Sequence, residues 1–375
     1  MNEADVAVVG GGIVGLAHTL AAAKRGARVV LFDRDERAVG ASIRNFGLLW
    51  PIGQPTETYE RALRAREIWL DVIKRADLWH ADVGSLHLAH HQDEQDVLAE
   101  FLATTPGARD AGCRLLTPAE VAERSDVVVQ DGLLSALWSP TEINVDPRQT
   151  IPGVAEVLAR DFGVDVRFGT AVRGISMPTV ETTAGNWRVQ RVFVCSGNEF
   201  QALYPEAFER TGIRRCKLQM MRTAPQPGGW ALGPTLCAGL TLLHYRAFSH
   251  CESLAPLRQR FAEELPFHLE HGIHVLVSQT ADGRVTIGDS HHYADTHDPF
   301  EREDVNSAIL DYFNGFAAVP RPEITERWHG VYPSLPDGRT ELIAHPEPDV
   351  TVVNGLGGAG MTLSFGLAEE VLACP

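Results

Sequence analysis

Six residues near the start of the chain, Gly10-Gly11-Gly12-Ile13-Val14-Gly15, constrain its fold more than any others. They follow a short run rich in β-branched residues, Val6-Ala7-Val8-Val9, and lead into an alanine-rich stretch, residues 16–24, of helical composition. Gly26 stops that stretch, an apolar strand follows over residues 28–32, and Asp33 stands at its end. A strand, a G-x-G-x-x-G turn, a helix and a second strand ending in an acid together predict a dinucleotide-binding βαβ unit. Gly10 permits the tight turn, and Gly12 lets backbone N–H groups approach a pyrophosphate. Gly15 lets helix and strand pack closely, while Ile13 and Val14 open a helix whose N-terminus carries partial positive charge. Asp33, with Arg34 beside it, is placed to accept hydrogen bonds from a ribose 2′-OH. A glycine-rich turn without a ligand is the alternative; the flanking strand, helix and acid argue against it.

A chain of 375 residues is long for one ordinary core, so two domains are expected. Hydrophobic residues make up 44% and charged residues 22%, a globular composition without an apolar run long enough to span a bilayer. Residues 1–5 lead straight into a strand, which leaves no room for a signal peptide and predicts a cytoplasmic protein. The net charge of −16 argues against nucleic acid or an anionic membrane as partner. Lysine occurs only at Lys24, Lys74 and Lys217. Cys113, Cys195, Cys216, Cys237, Cys251 and Cys374 lack C-x-x-C spacing and read as buried thiols in a reducing compartment.

Farther along, residues 40–47 form a small-residue loop containing Ser42, Arg44, Asn45, Phe46 and Gly47. Small residues let backbone approach a large ring, and Arg44 and Asn45 offer donors to phosphate or ring carbonyls; a plain polar turn is the alternative. Residues 56–76 read as a long helix. The pieces SLHLAH, DEQDVLAEFLATT and CRLLT then break the parallel pattern, so the chain is expected to cross into a second domain near residue 82. It returns near Asn144, with Pro147 suited to a helix start and the strand VDVRF after the helix. TVETT and NWRVQ precede RVFVCSG, whose Cys195-Ser196-Gly197 turn falls at a strand's carboxyl end, where open α/β sheets place ligands. From Lys217-Leu218-Gln219 the chain re-enters the second domain. It runs through LQMMRTA, LTLLHYRAFSH, a helix over residues 258–265, and a hairpin turning at Asp282-Gly283, then a helix over residues 303–317. Last come a strand over residues 350–354, a turn containing Gly357, Gly358 and Gly360, and a helix opening with Met361 and Thr362. No G-x-S-x-G, H-E-x-x-H or Walker A pattern is present.

Taken in order, GGGIVG with Asp33, the G-A-S-x-R-N loop, VFVCSGN, KLQMMR, ADGRVTIGDS, GVYPSLPDG and GLGGAGMTLSFG resemble the FAD-dependent amino-acid and amine oxidases. That family includes glycine oxidase, sarcosine oxidase and D-amino-acid oxidase. The resemblance implies an α/β plus α+β fold: a glutathione-reductase-like FAD-binding Rossmann domain interleaved with a substrate domain built on an antiparallel sheet. Residues 1–81, 141–217 and 327–375 would form the first domain, and residues 82–140 and 218–326 the second. Non-covalent FAD would be held by Gly10, Gly12, Ile13, Val14, Gly15, Asp33, Arg34, Ser42, Arg44, Asn45, Phe46, Gly47, Val172, Cys195, Ser196, Gly197, Gly357, Gly358, Gly360, Met361 and Thr362. The last helix would face the N1/C2 edge of the flavin. The implied reaction takes hydride from the carbon of a neutral amine to flavin N5, with hydrolysis of the imine to an aldehyde and reoxidation by O2 to hydrogen peroxide. The partners are then a small amine and O2, in a monomer or homo-oligomer without a metal. More narrowly, IRNFGLLWPIGQ and RWHGVYPSLPDG are similar to a bacterial subgroup associated with breakdown of 2-aminoethylphosphonate and its N-methyl derivatives.

Three departures bear on the substrate and the electron acceptor. Tyr332, in Gly330-Val331-Tyr332-Pro333, stands where glycine and D-amino-acid oxidases have the arginine that clamps a carboxylate; tyrosine donates one hydrogen bond and no charge. The last glycine loop lacks the arginine of glycine oxidase, and no lysine follows Lys217 to match the oxygen-activating lysine of sarcosine oxidase. A different anion or a different electron acceptor is expected. The candidates for contact with the substrate are His244, Arg246, His250, His291, His292, Tyr332 and Trp328, with Arg44 and Arg339 as further cations. Read as a strand, HYRAFSH puts His244, Arg246 and His250 on one face; a solvated face is the alternative. Trp328 and Trp50 equally suit core. His291, His292 and His297 with Asp289 and Asp295 match no common zinc spacing. Lys217 and Gln219 suit cofactor or structural contacts alike.

Overall fold

The computed structural model describes residues 2–336 and 338–373. Its first βαβ unit is the strand Val6–Val9, the helix Ile13–Lys24 and the strand Val29–Phe32, whose four residues are all buried. Two glycines are obligatory. Gly10 has φ +109°, and a Cβ there would lie 2.2 Å from the Cys195 carbonyl oxygen; a Cβ on Gly15 would lie 1.8 Å from the Gly10 carbonyl oxygen. Helix and sheet are thus in backbone contact at the start of the helix.

These strands sit in a six-stranded sheet in the order Asp165–Arg167, Val29–Phe32, Val6–Val9, Arg191–Val194, Val350–Asn354, Leu342–Glu347. The first five are parallel and only the last pair is antiparallel. The helices Ile13–Lys24, Thr56–Ala76, Pro147–Phe162 and Gly360–Ala373 share one core that includes Leu16, Leu20, Leu31, Trp69, Leu158 and Phe365. Trp69 buries its ring edge-on against Phe365, 4.8 Å between centroids, and donates Nε1–H to the Met361 carbonyl at 2.8 Å. Full burial of a side chain that size contributes on the order of 2–3 kcal/mol, and the hydrogen bond fixes where the last helix begins. Pro147 opens its helix as expected, with the Asp146 carboxylate accepting from the Arg148 N–H at 3.1 Å. A small sheet, Asn2–Glu3, Gly185–Arg188, Thr179–Thr182 and Val172–Ser176, flanks the parallel one.

The second large sheet runs His292–Ala294, Arg214–Thr223, Val285–Gly288, Leu276–Gln279, Thr235–Cys237, Ser85–Ala89, Ser135–Ser139, Arg114–Leu116. It is antiparallel except where Thr235–Cys237 runs parallel to Ser85–Ala89. The strand Ile324–Ser334 pairs along Arg214–Thr223 from Ser334 opposite Arg214 to Ile324 opposite Thr223, and so carries the chain back toward the parallel sheet. The hairpin turns at Asp282-Gly283 as predicted. Three very short strands, Leu48–Leu49, Ile143–Val145 and His80–Ala81, make a further sheet.

One expectation fails. LTLLHYRAFSH is not a strand: Leu240–His244 is a helical turn, followed by a 3-10 turn at Arg246–Phe248. The backbone closes on itself instead of pairing with a neighbour: the N–H groups of Thr241, Leu242 and Tyr245 donate to the carbonyls of Ala238, Gly239 and Thr241 at 2.9, 3.0 and 3.2 Å, and Tyr312 Oη accepts from the Leu240 N–H at 3.0 Å. The shared face proposed for His244, Arg246 and His250 therefore does not exist. Cys113, Cys195, Cys216, Cys237 and Cys251 are buried free thiols; Cys374 lies outside the described residues. Among the described residues no helix is long and apolar enough to cross a membrane.

Candidate active site

A cavity of about 490 Å³ runs from the carboxyl ends of the parallel strands to the face of the second sheet. At one end it is lined by Val9, Gly10 and Gly12 to Val14, by Asp33 and Arg34, by Ser42, Arg44, Asn45 and Phe46, by Val172, by Cys195 to Gly197, and by Gly357, Gly358, Gly360, Met361 and Thr362. Gly15 and Gly47 stand behind that wall. Gly15 packs on Gly10, and Gly47, at φ +73°, passes so near Val145 that a Cβ would lie 1.9 Å from its carbonyl oxygen.

This end suits a dinucleotide on several grounds. Open space faces Gly197 and Gly357, where an added Cβ would meet nothing within 4 Å; Gly360 lies against Ile13, its Cβ position 3.6 Å from the Ile13 Cγ2. The N-termini of the first and last helices thus sit side by side, and both favour negative charge. Ser42 Oγ accepts the Ile13 N–H at 2.9 Å. Asp33 is held rigidly, with Oδ2 accepting from the Gly11 N–H at 2.6 Å and Oδ1 from the Asp35 N–H at 2.9 Å. Each oxygen keeps a second lone pair. Asn45 is turned inward: its Nδ2 donates to the Ala41 and Ser42 carbonyls and its Oδ1 accepts from the Gly47 N–H. It shapes its own loop. Arg44 spends one donor on the His329 carbonyl at 3.2 Å, and the Thr362 hydroxyl accepts from the Trp50 N–H at 2.9 Å.

The other end of the cavity is walled by Leu218, Met220, Leu276, Tyr245, Tyr332, His244, His274, Asp289 and His291, with Arg246 and Arg339 also on the lining. The His244 and His274 rings stack at 3.8 Å between centroids, and His291 lies 4.4 Å from His244 and 5.1 Å from His274. His274 Nε2 is 3.2 Å from Asp289 Oδ1, and His291 Nδ1 donates to the Gly272 carbonyl at 3.0 Å. Loss of solvation holds all three imidazoles neutral, taking His291 down to about 4, and pushes the Asp289 carboxyl well up. Tyr332 is buried, which keeps its phenol protonated.

His250, His292 and Trp328 do not join them. His250 Nε2 meets Thr104 Oγ1 at 3.0 Å on an exposed surface. His292 turns away from the cavity toward the His271 ring, 5.1 Å off, because neighbouring residues of an extended segment point to opposite sides. Trp328 donates to the Arg44 carbonyl at 3.3 Å, with the Arg148 guanidinium over its ring. His297 binds the Arg215 carbonyl at 3.0 Å, so the histidines of residues 291–297 are split. Lys217 and Gln219 are structural: Lys217 Nζ donates to the Asp298 and Phe300 carbonyls, and Gln219 bonds to Arg302 and Asn306. No lysine is among the lining residues.

His274 escapes a motif search. Its backbone exchanges two hydrogen bonds with Asp289, which sets it beside the histidine of the opposite arm. The signal was the hairpin: His274 lies eight residues before Asp282, and His291 eight after Gly283.

A family model described as FAD dependent oxidoreductase matches residues 5–373. Glycine oxidase of Geobacillus kaustophilus is 22% identical over 92% of this chain and 85% of its own length. Its solved structure has a TM-score of 0.76 at 21% identity, covering 100% of this chain and 94% of that one. The L-proline dehydrogenase from P. horikoshii gives 0.79 at 20% identity, covering 99% and 92%. Iminodiacetate oxidase from Chelativorans sp. BNC1 gives 0.72 at 19%, covering 99% and 96%. At these identities the structural likeness is one of fold.

Proposed function

From the premise that this chain belongs to the FAD dependent oxidoreductase family, and so works with FAD, we propose that it oxidises the C–N bond of a small amine bearing a phosphonate. The substrate is of the 2-aminoethylphosphonate kind or its N-methyl derivative. For the primary amine the overall reaction is amine plus O2 plus water to aldehyde, ammonia and hydrogen peroxide; the N-methyl substrate gives methylamine instead. When bound, FAD supplies the two-electron acceptor for the hydrogen that leaves the substrate carbon.

In this reading Gly10, Gly12, Ile13 and Val14 receive the pyrophosphate, Asp33 the ribose, and Gly357 to Thr362 the flavin edge. The protein's own contribution at the reacting end is position and exclusion of water. Leu218, Met220 and Leu276 give an apolar wall that favours the neutral amine over its ammonium form. The observation that carries the substrate class is the wall opposite the glycine loops: His244, His274 and His291 converge there, with the Tyr332 phenol where a carboxylate clamp would need a guanidinium. Being a donor at neutral pH, the phenol suits one oxygen of an anion without matching a carboxylate bidentately.

The test is peroxide release by the purified yellow protein, with 2-aminoethylphosphonate, its N-methyl derivative, glycine and sarcosine side by side. We expect kcat/KM to favour the phosphonate amines by about tenfold or more, the value of one charge-assisted hydrogen bond. Equal or better turnover of glycine sinks the assignment. A second reading, a dehydrogenase that passes electrons to a quinone or a partner protein, is favoured by the lack of lysine among the lining residues. Reoxidation in air-saturated buffer over minutes, without peroxide, would select it.

A further inference from the structure

Four ionisable groups from three separate segments meet in the cavity wall: His244, His274, and the pair Asp289 and His291. Their ring nitrogens and carboxylate are close but poorly used. Among the described residues His274 Nδ1 and Asp289 Oδ1 are both buried without a hydrogen-bond partner, although Asp289 Oδ1 stands 3.2 Å from His274 Nε2 and 3.8 Å from His291 Nδ1. Orphaned buried polar atoms are costly, and a native structure retains them where something else completes them. His244 turns its ring to the cavity and stacks on His274 at an interplanar angle of 25°.

Three imidazoles in mutual contact cannot all be charged, because each added positive charge lies within a few Å of the last and two of the rings, His274 and His291, are buried. A doubly negative oxyanion reverses that balance. Placed against the cluster, it raises the proton affinity of every ring that faces it and accepts short charge-assisted hydrogen bonds from the imidazolium ions so formed. A singly charged carboxylate draws protons less strongly. Among the described residues, the aromatic side chains packed on the three rings are uncharged, and the cations on the cavity lining are Arg34, Arg44, Arg246 and Arg339. Tyr245 packs edge-on to His244 and His274, at 5.1 and 5.6 Å; Tyr332 lies 6.4 Å from His291. The Cys216 thiol, facing from the strand Arg214–Thr223, is held protonated by burial, and Tyr293, opposite it on the neighbouring strand, is exposed. His292, on the far side of His291, is itself biased to neutral. Arg246, at the rim, is occupied by Glu57 at 2.8 Å and by the Gly338 carbonyl.

We propose that His244, His274, His291 and Asp289 form a proton-loading anion site, which takes a phosphonate dianion together with protons drawn from solvent. The inference rests on the phosphonate reading above and adds to it that affinity and protonation are linked. By linkage the anion and the protons strengthen each other's binding equally. It also gives the protein a way to prefer a phosphonate over a carboxylate without a guanidinium at position 332.

The test uses oxidised holoenzyme and methylphosphonate, which has no amine to oxidise or to titrate. Calorimetric titrations are run in two buffers of different ionisation enthalpy, at a pH about two units above the ordinary imidazole value, where the probe is already dianionic. A binding enthalpy that differs between the buffers by net uptake of about one proton is expected. So is a Kd that weakens by up to about tenfold per pH unit once the pH exceeds the protonation range of the complex. Acetate should bind at least about tenfold more weakly, with less uptake. His274→Gln should cut the uptake; the wild-type buffer comparison stands on its own if that variant fails to fold. Methylphosphonate that binds with the same enthalpy in both buffers overturns the proton-loading site and leaves the substrate class standing. Acetate that binds while methylphosphonate does not overturns both. Methylphosphonate binding that is abolished by a chelator and restored by Zn²⁺ assigns the three imidazoles to a metal and overturns the proton-loading site as well.

Discussion

The two ends of the cavity are built by opposite means. The nucleotide end is made of backbone: glycines at 10, 12, 197, 357, 358 and 360, and two helix N-termini brought within van der Waals reach at Ile13 and Gly360. Its side chains mostly serve the backbone, as when Asp33 holds the Gly11 N–H, Asn45 closes its own loop and Ser42 caps Ile13. The other end is made of side chains, from a helical turn at His244, a hairpin arm at His274, its opposite arm at Asp289 and His291, and the long strand carrying Tyr332. A site for a constant ligand tolerates backbone construction, because nothing in it needs to vary. A site that selects among substrates needs positions whose side chains can be exchanged without disturbing the chain path.

The comparison breaks most sharply at Gly15. A methyl group there would sit 1.8 Å from the Gly10 carbonyl oxygen, and that oxygen belongs to the turn between strand and helix. No side chain can move to relieve the clash, so the cost exceeds the ~1–3 kcal/mol of ordinary overpacking. Gly15→Ala is expected to yield protein that is colourless or unfolded, read from the flavin absorbance per polypeptide. A variant with the wild-type flavin content would show that the nucleotide end is not fixed by its backbone.

At the opposite end a change of one side chain should retune the protein and leave it folded. Tyr332 is buried at 8% exposure, near Gly358, whose Cβ position is 3.7 Å from the phenol oxygen. Tyr332→Arg places a guanidinium at the spot the resemblance assigns to carboxylate recognition. We expect kcat/KM for glycine to rise about ten- to a hundredfold, the ~1.5–3 kcal/mol of hydrogen bonds to a charged group, while turnover of a phosphonate amine changes less. Unaltered selectivity with full flavin content would separate Tyr332 from anion recognition.

The same division explains what was legible in the sequence. Gly10 to Gly15, Asp33 and the closing turn at Gly357 to Gly360 are contiguous and tied to strand and helix periods, so local chemistry suffices to place them. The helix Thr56–Ala76 and the hairpin at Asp282-Gly283 were readable for that reason too. The histidine cluster was legible only in part: His244 and His291 could be named singly, but His274 joins His291 through hairpin pairing and meets His244, 30 residues away, through the packing of a helical turn on that hairpin. LTLLHYRAFSH misled because so short a segment carries no decisive period, and tertiary packing chose a helical turn at Leu240–His244. The strands Leu48–Leu49 and His80–Ala81 are two residues each, too short to carry a pattern at all.

His250 gives the smallest expected effect and the finest test of that lesson. By sequence it ranks with His244, six residues away; by geometry it stands on the far side of a 3-10 turn, exposed and bonded to Thr104 Oγ1 at 3.0 Å. An exposed side chain hydrogen-bonded to the neutral hydroxyls of Thr104 and Thr105 is worth about 0.5 kcal/mol or less. His250→Ala should therefore change kcat/KM by less than about twofold and leave the thermal midpoint nearly unmoved, whereas His244→Ala, which empties part of the stacked cluster, should raise the KM for a phosphonate amine by about tenfold. Equal losses in the two variants would mean that HYRAFSH rearranges when substrate enters, and that the helical turn at His244 is only one of two states the segment adopts.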